Sequence, residues 1–434
     1  MAFQQGLSGL NAASKTMETI GNNVANAGTV GFKRSQAQFA DVYASSLMGS
    51  GASPIGIGTR LARVSQQFTQ MNISGTNNPL DIAINGDGFF RMSSGGAITY
   101  TRNGQFLLNK NGNIENANGA LLTGYPVGPN GQISNGAPVE LEIDNTALKP
   151  RATTSYDVRM NLDSAEGEDP IDPAVTLFDP NTDTTYHGRT SVGIYDSLGN
   201  PHTLSTFYRC VGDGTGNPPV APAGNTWQVF VTLDGMRLDG TPAGVGMPAF
   251  ATIHFDDNGK AIGMNTPMVP LAPLSASVTL NNGAETPQSV DINFAGTTQF
   301  RMETAEQGEP RQDGYAAGSL VSFDIGKDGK IVGSYTNGQT NLLGQVALAS
   351  FANPNGLTPQ GDNAWVETSL SGPPLVGAPG VSGLGLVQSS AVEESNVDLT
   401  AELVAMITAQ RIYQANAQTI KTEDQVMQTL VNLR

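Results

Sequence analysis

The sequence predicts a mainly β protein with α-helical, coiled-coil termini, and three observations support this prediction. All 25 prolines lie between Pro54 and Pro379, so both ends lack the strongest helix-breaking residue. Both proline-free ends place apolar residues at alternating steps of four and three, the period of a coiled-coil seam. The middle repeats Asn-Gly and Asp-Gly pairs between short runs of β-forming residues, which indicates a series of β-hairpins.

The first helix is predicted over residues 1–27. Its end is expected at Asn26-Ala27-Gly28, because glycine commonly follows the last helical residue. Gly31 then allows a second turn. A polar residue and a glycine fill two places of the helix's apolar stripe, which consists of Phe3, Leu7, Leu10, Ser14, Met17, Gly21 and Val24.

The middle of the chain is predicted to consist of β-hairpins and loops. Val321–Gly338 and Ile253–Gly263 each place β-forming residues on both sides of a turn pair. Acidic residues and prolines cluster between 161 and 184, which indicates a loop. Gly-rich stretches at 44–59 and 371–385 indicate flexible connectors to the two ends. The turn pairs are Asn103-Gly104, Asn111-Gly112, Asn118-Gly119, Asn258-Gly259, Asp328-Gly329 and Asn337-Gly338.

The second helix is predicted over residues 397–434 and would span roughly 57 Å. Ser395 and Asp398 together resemble a capping box, and Glu402 adds a negative charge early in the helix. An isolated helix is marginal in water, so its apolar stripe requires a partner. That stripe consists of Leu399, Leu403, Met406, Gln410, Tyr413, Ala417, Ile420, Asp424, Met427 and Val431.

Nothing in the sequence indicates catalysis or a bound cofactor. The net charge of −16 disfavours nucleic acid as a partner, because phosphate binding requires clustered Lys and Arg. The single cysteine, Cys210, excludes an intramolecular disulfide and a Cys-rich metal site. The histidines His187, His202 and His254 are scattered, and no catalytic motif is complete. We therefore expect no enzyme, no cofactor, no metal, no nucleic acid and no small-molecule substrate.

The chain is also expected to lack a cleavable signal peptide and a transmembrane helix. The start, MAFQQGLSGLNAASK, has neither the basic region nor the apolar region of a secretory signal. No stretch approaches 18 uninterrupted apolar residues. If the protein leaves the cell, we expect it to use another route.

Several segments resemble the flagellar rod-and-hook axial protein family. NNVANAGTVGFKR (Asn22–Arg34) is similar to the family signature and follows the first helix, as the signature does in that family. Ser395–Arg434 is similar to the end of the family's hook members nearly residue for residue. The other similar segments are LDIAINGDGFF (Leu80–Phe90), YTRNGQFLLNKNGNIENANGALLTGY (Tyr100–Tyr125), YDSLGNPH (Tyr195–His202) and LLGQVALASFANPNGLTPQGDNAW (Leu342–Trp365).

The resemblance implies a structural subunit of the flagellar hook. Such subunits polymerise into a curved tube that acts as a universal joint, passes motor torque to the filament and encloses an export channel. The two ends would form concentric helical tubes around that channel, with two β domains further out. The implied parts are terminal helices at 1–27 and 397–434, linkers at 28–75 and 385–396, an inner β domain at 76–150 and 304–384, and an outer β domain inserted at 151–303.

The resemblance also implies a location and a set of partners. The location would be extracellular, in the hook of the bacterial flagellum. Subunits would leave through the flagellar type III export apparatus without a cleavable signal peptide. The partners would be further copies of the chain, the distal rod protein, the hook cap protein, the hook-filament junction protein and the hook-length control protein.

Two alternatives are weighed against the hook subunit. The distal rod protein shares the Asn22–Arg34 and Leu80–Phe90 motifs. Rod members lack a large outer domain, however, and the distal rod protein carries a longer insertion at the 44–58 connector. Residues 151–303 and the short connector therefore favour the hook. A secreted β-rich surface binding protein is the other alternative. Aromatic residues make up 6% of the chain and do not cluster, which gives that alternative little support.

Two arrangements of the apolar stripes stay open. They pair inside one monomer, or they are buried fully only between subunits, and the length of the second helix favours the latter. Gln410 and Asp424 fit register-setting positions. We expect Phe32 to be a packing anchor, and Lys33 and Arg34 to be exposed contacts to neighbouring subunits. The residues expected to mediate assembly are Phe3, Leu7, Leu10, Met17, Val24, Phe32, Leu399, Leu403, Met406, Tyr413, Ile420, Met427 and Val431.

Overall fold

Both ends of the chain are helical and the rest is strand and loop, as a computed structural model shows. Helix α1 covers Ala2–Ala25 and helix α2 covers Leu399–Asn432. The prediction of a mainly β fold with helical termini is thus confirmed. The predicted connector at 44–59 lies largely outside the described residues. These are residues 2–42, 56–134, 136–167, 170–173, 175–211, 226–265 and 269–432.

Asp398, rather than Ser395, caps the start of α2. Its Oδ1 accepts hydrogen bonds from the amides of Thr400 and Ala401, at 2.9 and 3.2 Å. Amides in the first turn have no carbonyl partner within the helix, so a carboxylate at this place stabilises the helix start. The capping box predicted from Ser395 is wrong because the helix begins after Asp398. Glu402 does lie in the first turn, as predicted.

The strands are short and follow one another closely along the chain. The first group is β1 (Ser35–Val42), β2 (Gly58–Gln66), β3 (Ile73–Gly75), β4 (Ile82–Asn85), β5 (Phe89–Ser94), β6 (Ala97–Thr101), β7 (Phe106–Leu108), β8 (Ile114–Asn116), β9 (Leu121–Pro126) and β10 (Val139–Glu140). The second group is β11 (Ser155–Asp157), β12 (Met160–Asp163), β13 (Gly188–Tyr195), β14 (Pro201–Val211), β15 (Thr226–Leu233), β16 (Ala251–Phe255), β17 (Ala261–Met264), β18 (Leu274–Val278), β19 (Gln288–Asn293), β20 (Thr298–Phe300), β21 (Ala305–Glu306) and β22 (Arg311–Gln312). The third group is β23 (Leu320–Ile325), β24 (Lys330–Tyr335), β25 (Thr340–Val346), β26 (Leu348–Ser350), β27 (Thr358–Gly361), β28 (Ala364–Val366), β29 (Leu375–Gly377), β30 (Leu386–Ser389) and β31 (Ala391–Glu393).

The strands and helices are divided between two units. The first unit comprises Met1–Asn145, Val321–Ser334 and Thr340–Arg434, and the second comprises Thr146–Leu320 and Tyr335–Gln339. The chain therefore enters the second unit five residues before, and leaves it 17 residues after, the limits of the outer domain expected at 151–303. The finer division into helical, inner and outer domains stays a prediction.

The main sheet of the first unit combines strands from both halves of the sequence. Its strands lie in the order β23-β24-β25-β9-β5-β6-β28-β27, and β5 also pairs with β26. Two smaller sheets repeat this mixing, because β3 pairs with β31 and β4 pairs with β30. Neither half could complete this unit alone. The aromatic centre of one of its cores consists of Phe89, Tyr100, Phe351 and Trp365.

A β-hairpin lies within the segment that the sequence predicts as a linker over 28–75. β1 and β2 pair antiparallel from Ser35 and Gln66 to Val42 and Gly58. The hairpin is attached to the core of the first unit, because the indole nitrogen of Trp365 donates a hydrogen bond of 2.5 Å to the side-chain oxygen of Gln66. The sequence conceals these strands, since polar Gln and Arg residues alternate with few apolar ones.

The second unit is a β structure with its own core. β13 to β17 form an antiparallel sheet in sequence order, and β18-β19-β11-β22 and β20-β12-β21 form two further sheets. Residues of all three sheets contribute to one apolar core, in which Tyr156, Tyr208 and Trp227 are completely buried. A second cluster lies around Phe178 and Phe230, whose rings stack at 3.9 Å.

The two hairpins predicted from turn pairs are present. β16 and β17 flank Asn258-Gly259, and β23 and β24 flank Asp328-Gly329. Both glycines have positive φ, a backbone conformation that residues other than glycine rarely adopt. Asn103-Gly104 differs, because a β-carbon at Gly104 would collide with the carbonyl of Ile82. Among the described residues, no helix has both the length and the hydropathy needed to span a membrane.

Candidate functional site

The two terminal helices form an antiparallel pair. Gly6 of α1 lies against Ile420 of α2, since a β-carbon added at Gly6 would lie 3.0 Å from Ile420 Cγ1. A β-carbon at Gly9 would lie 2.6 Å from Asn416 Oδ1. Contacts this short leave no room for a larger side chain, so the glycines allow the helices to approach closely. Just beyond the other end of α1, Arg34 contacts the first turn of α2.

The face of α2 that packs in the monomer is offset from the predicted stripe. Of the predicted residues, Met406, Tyr413 and Ile420 are half-buried, whereas Leu403 and Val431 are exposed. The packed face includes small and polar residues, which a search for large apolar side chains misses. Its buried or half-buried residues are Glu402, Ala405, Met406, Ala409, Tyr413, Asn416, Ala417, Ile420 and Glu423.

The helix pair leaves a broad set of apolar side chains exposed. On α1, Leu10, Met17 and Val24 are half-buried, but Phe3 and Leu7 are exposed. Leu7 is the least exposed of the set, at 44%. Large exposed apolar patches on a soluble protein mark interaction surfaces. The exposed large apolar residues of the two helices are Phe3, Leu7, Leu399, Leu403, Val404, Ile407, Ile412, Val426, Met427 and Val431.

The segment that follows α1 is held to the first unit by hydrogen bonds. The buried side chain of Asn23 donates to the carbonyl of Ser35 at 2.8 Å and accepts from its amide at 2.9 Å. The Gly31 amide donates to the carbonyl of Glu393 at 2.8 Å. Gly31 has φ of +68° and a β-carbon there would lie 2.5 Å from the carbonyl oxygen of Arg102, so glycine is required on both grounds.

Lys33 is completely buried, so the prediction that it is exposed to neighbouring subunits is wrong. Its Nζ lies 2.6 Å from Glu393 Oε1 and donates to the carbonyl of Thr69 at 2.9 Å. The other oxygen of Glu393, Oε2, lies 3.2 Å from Nη1 of Arg102, which is also buried. We call Lys33, Arg102 and Glu393 the joint triad. Burial lowers the pKa of the Lys33 ammonium, and Glu393 opposes that shift.

Arg34 also contacts its own chain. Its side chain pairs with Glu402, at 2.5 Å between Nε and Oε1. Its amide donates to the side-chain oxygen of Asn396 at 2.6 Å, and Asn396 donates to the carbonyl of Gln67 at 2.7 Å. Phe32, expected as a packing anchor, is half-buried. The neighbouring residues Lys33 and Arg34 thus hold the chain before and after the short segment that leads from β31 into α2.

The joint consists of charged side chains that pair with one another. Among the described residues, no group of three or more His, Cys, Asp or Glu side chains could hold a metal ion. The charged residues of the joint contact one another and backbone groups. The sequence contained one usable signal for this joint, namely two adjacent basic residues directly after Gly31-Phe32. It gave no indication that their partners, Glu393 and Glu402, lie about 360 residues further along the chain.

Family models match the chain in four successive parts. The model described as "Flagella basal body rod protein" matches residues 3–33. "Flagellar hook protein FlgE/F/G D1 domain" matches 83–158, and "Flagellar basal body protein FlaE D2 domain" matches 161–315. "Flagellar basal body rod FlgEFG protein C-terminal" matches 388–433. The first and last of these matches cover the two helices together with Lys33 and Glu393, and the second covers Arg102.

Full-length relatives carry the same description. The chain is 41% identical to the flagellar hook protein FlgE of Escherichia coli (strain K12), over 100% of both chains. It is 32% identical to the FlgE of Borreliella burgdorferi, over 100% of this chain and 99% of the relative. The crystal structure of Helicobacter pylori flagellar hook protein FlgE2 matches with a TM-score of 0.51 at 14% identity, covering 74% of this chain and all of the other. That structural likeness supports the fold alone.

Proposed function

The chain belongs to the flagellar hook protein family and is a structural subunit of the bacterial flagellar hook, and we propose that it polymerises through the exposed apolar faces of its terminal helices. The Escherichia coli relative matches over the full length of both chains, including residues 151–303, the region that rod members were expected to lack. In this proposal the polymer is a curved tube with a central channel, and it passes motor torque to the filament.

The observation that carries the proposal is that α1 and α2 are already paired and still expose large apolar residues. Four predicted assembly residues of α2, namely Leu399, Leu403, Met427 and Val431, remain exposed. Full burial of one large apolar side chain contributes ~1.5–3 kcal/mol, so burial of an exposed half contributes on the order of 1 kcal/mol. Repeated over the ten exposed residues, this favours association over free helices.

The difference in helix length indicates what covers the exposed residues. α2 has 34 residues and α1 has 24, so α2 spans ~51 Å and α1 spans ~36 Å. Because Gly6 of α1 lies at Ile420, the last turns of α2 extend beyond the start of α1. Val426, Met427 and Val431 lie on that extension and are exposed. We infer that helices of neighbouring copies cover them.

The remaining partners follow from the place of a hook between rod and filament. We propose that the polymer begins on the distal rod protein, grows under the hook cap protein and is followed by the hook-filament junction protein. Subunits would reach the growing end through the type III export apparatus without a cleavable signal peptide, and the hook-length control protein would end growth. No nucleic acid or small-molecule substrate is part of this proposal.

Leu403→Asp tests the assembly proposal. Leu403 is exposed in the monomer, so a carboxylate there leaves the helix pair intact but has to be desolvated when a neighbour covers it. We expect the variant to remain folded by circular dichroism and to form no tubes by electron microscopy. Met406→Asp is a less selective variant, because Met406 is half-buried in the monomer.

Leu107→Asp is the matched control. Leu107 is an exposed leucine, at 58%, and lies on β7 rather than on a terminal helix. Because the control adds the same charge to an exposed leucine away from the proposed assembly faces, it should still polymerise. Tubes of normal length from Leu403→Asp would show that this face of α2 is not the assembly surface.

A further inference from the structure

The joint triad lies where both terminal helices connect to the strands of the first unit. Lys33 follows the end of α1 by eight residues, and Glu393 ends β31 six residues before α2 begins. Arg102 directly follows β6 and lies over the ring of Phe89, at 5.4 Å from its centroid. Glu393 uses one carboxylate oxygen for each cation. The buried carboxylate of Glu393 therefore links the segment after α1, the segment before α2 and the sheet that contains β6.

Stability alone does not account for a group of this kind. Removing charges from water is costly, and their mutual attraction offsets that cost only in part, so apolar side chains stabilise a core as well or better. The triad differs from an apolar core because its hydrogen bonds are directional. Lys33 donates to the carbonyl of Thr69 and Arg102 Nη2 to that of Gly86 at 2.9 Å each. Glu393 Oε1 also accepts from the amide of Met71 at 3.2 Å.

We propose that Glu393, held by Lys33 and Arg102, is a positioning residue that fixes the direction in which the helix pair leaves the strands of the first unit. This rests on the proposed function above. The pair of Arg34 and Glu402 holds the same junction at the first turn of α2. A rotation of about 10° at the joint would displace the far end of a ~51 Å helix by about 9 Å. That displacement equals a helix–helix spacing of about 8–10 Å, so neighbouring copies would lose register.

Three variants of adjacent glutamates separate positioning from stability. Glu393→Gln removes the shared charge and keeps the size of the side chain. Glu394→Gln is the matched control, since Glu394 is the next residue and is exposed. Glu393→Asp restores the charge on a side chain that is one methylene shorter, so the carboxylate can reach its partners only if the joint shifts.

Thermal unfolding and electron microscopy of the full chain give the first readout. We expect Glu393→Gln to lower Tm by on the order of 10 °C, because two cations lose their buried partner. It should reduce the yield of tubes at least about tenfold, which corresponds to ~1.4 kcal/mol. Glu393→Asp should regain most of the Tm while its tube yield stays low, and Glu394→Gln should match the unsubstituted chain. Recovery of both Tm and tube yield in Glu393→Asp would overturn the positioning role.

A distance measurement tests the joint whether or not tubes form. Spin labels on cysteines introduced at Gln410 of α2 and Leu107 of β7, both exposed, report the direction of the helix relative to the sheet, while the native Cys210 is buried. The distance distribution should broaden in Glu393→Gln and stay as narrow as in the unsubstituted chain in Glu394→Gln. An unchanged distribution in Glu393→Gln would overturn the proposal. Failure of the unsubstituted chain to polymerise would instead count against the proposed function.

Discussion

The terminal helices and the second unit treat their apolar side chains in opposite ways. The second unit buries Tyr156, Tyr208 and Trp227 completely in one core to which three sheets contribute. The helix pair exposes ten large apolar residues and, among its described apolar side chains, buries only Ala13, Ile20 and Ala409 almost fully. The same chain therefore contains one region that closes its own core and one that leaves apolar faces exposed, which further copies would cover in the proposed assembly.

This difference indicates how assembly and folding are divided along the chain. A closed core supplies stability that does not depend on concentration. A helix pair with exposed apolar faces gains its burial only on association, so its stability depends on mass action. The joint triad lies in the first unit and has features of both regions. Its own charges are buried, but the helices that it holds expose apolar side chains.

The largest expected effect is that of removing most of the second unit, which asks whether it takes part in assembly. The amide of Leu148 donates to the carbonyl of Gly318 at 2.7 Å, so the two chain connections run side by side and a short Gly-Ser linker can replace 149–317. We expect tubes to form, with altered curvature or stiffness, because we propose that the tube bends through sliding contacts between the outer domains of neighbouring copies. Electron microscopy of the tubes measures both. Complete loss of tubes would show that the second unit is required for assembly, contrary to the proposal that the helix pair carries it.

A smaller effect is expected from enlarging the contact between the helices. Gly9→Leu places a side chain where the β-carbon alone would lie 2.6 Å from Asn416 Oδ1, and such overpacking costs about 1–3 kcal/mol. Gly21→Leu is the control, because no atom lies within 4 Å of the corresponding position and leucine favours the helix by up to about 1 kcal/mol. The unfolding temperature and the tube yield should fall for Gly9→Leu but not for Gly21→Leu. Equal behaviour of both variants would show that the close approach is unimportant.

The smallest effect is a pH dependence confined to the second unit. His202 lies 2.7 Å from Asp234 Oδ2 through Nδ1 and 3.4 Å from Asp196 Oδ2 through Nε2. Burial alone would lower the pKa of His202, but these two carboxylates outweigh it and raise that pKa above 6.5. Because the folded state holds the proton more tightly, the stabilisation is fully present below about pH 6.5 and is lost as pH rises through the folded pKa.

Thermal unfolding of the full chain between pH 5 and 9 measures this dependence. The transition of the second unit should move to lower temperature as pH rises, and His202→Gln should flatten that dependence. His254→Gln is the control, because it removes a histidine and leaves both carboxylates in place. If the unfolding temperature of His202→Gln still fell with pH as in the unsubstituted chain, His202 would not be the cause of the pH dependence.

Local sequence signals sufficed for the regular parts of the fold. Proline-free heptads indicated α1 and α2, since helix periodicity and the absence of Pro act within a few turns. Asp328-Gly329 and Asn258-Gly259 indicated their hairpins, because these turns need positive φ. β1 and β2 were missed, because their Gln and Arg residues alternate with few large apolar ones and because their attachment depends on Trp365, about 300 residues away.

The joint could not be predicted for the same physical reason. Lysine is almost never buried without a partner, so an exposed Lys33 was the natural expectation. Its partner Glu393 follows 360 residues later, and no local pattern connects them. The offset of the packed face of α2 has a similar origin. Ala409 and Asn416 pack in the monomer because α1 presents small residues, which a single helix considered alone does not reveal.

Cryo-electron microscopy of the polymer formed by the unsubstituted chain tests the central claim most directly. We expect a hollow curved tube in which Leu399, Leu403, Met427 and Val431 are buried against helices of neighbouring copies. Lys33 and Glu393 should stay paired within each copy. A tube in which these four side chains still face solvent, with contacts made by the β units alone, would contradict it.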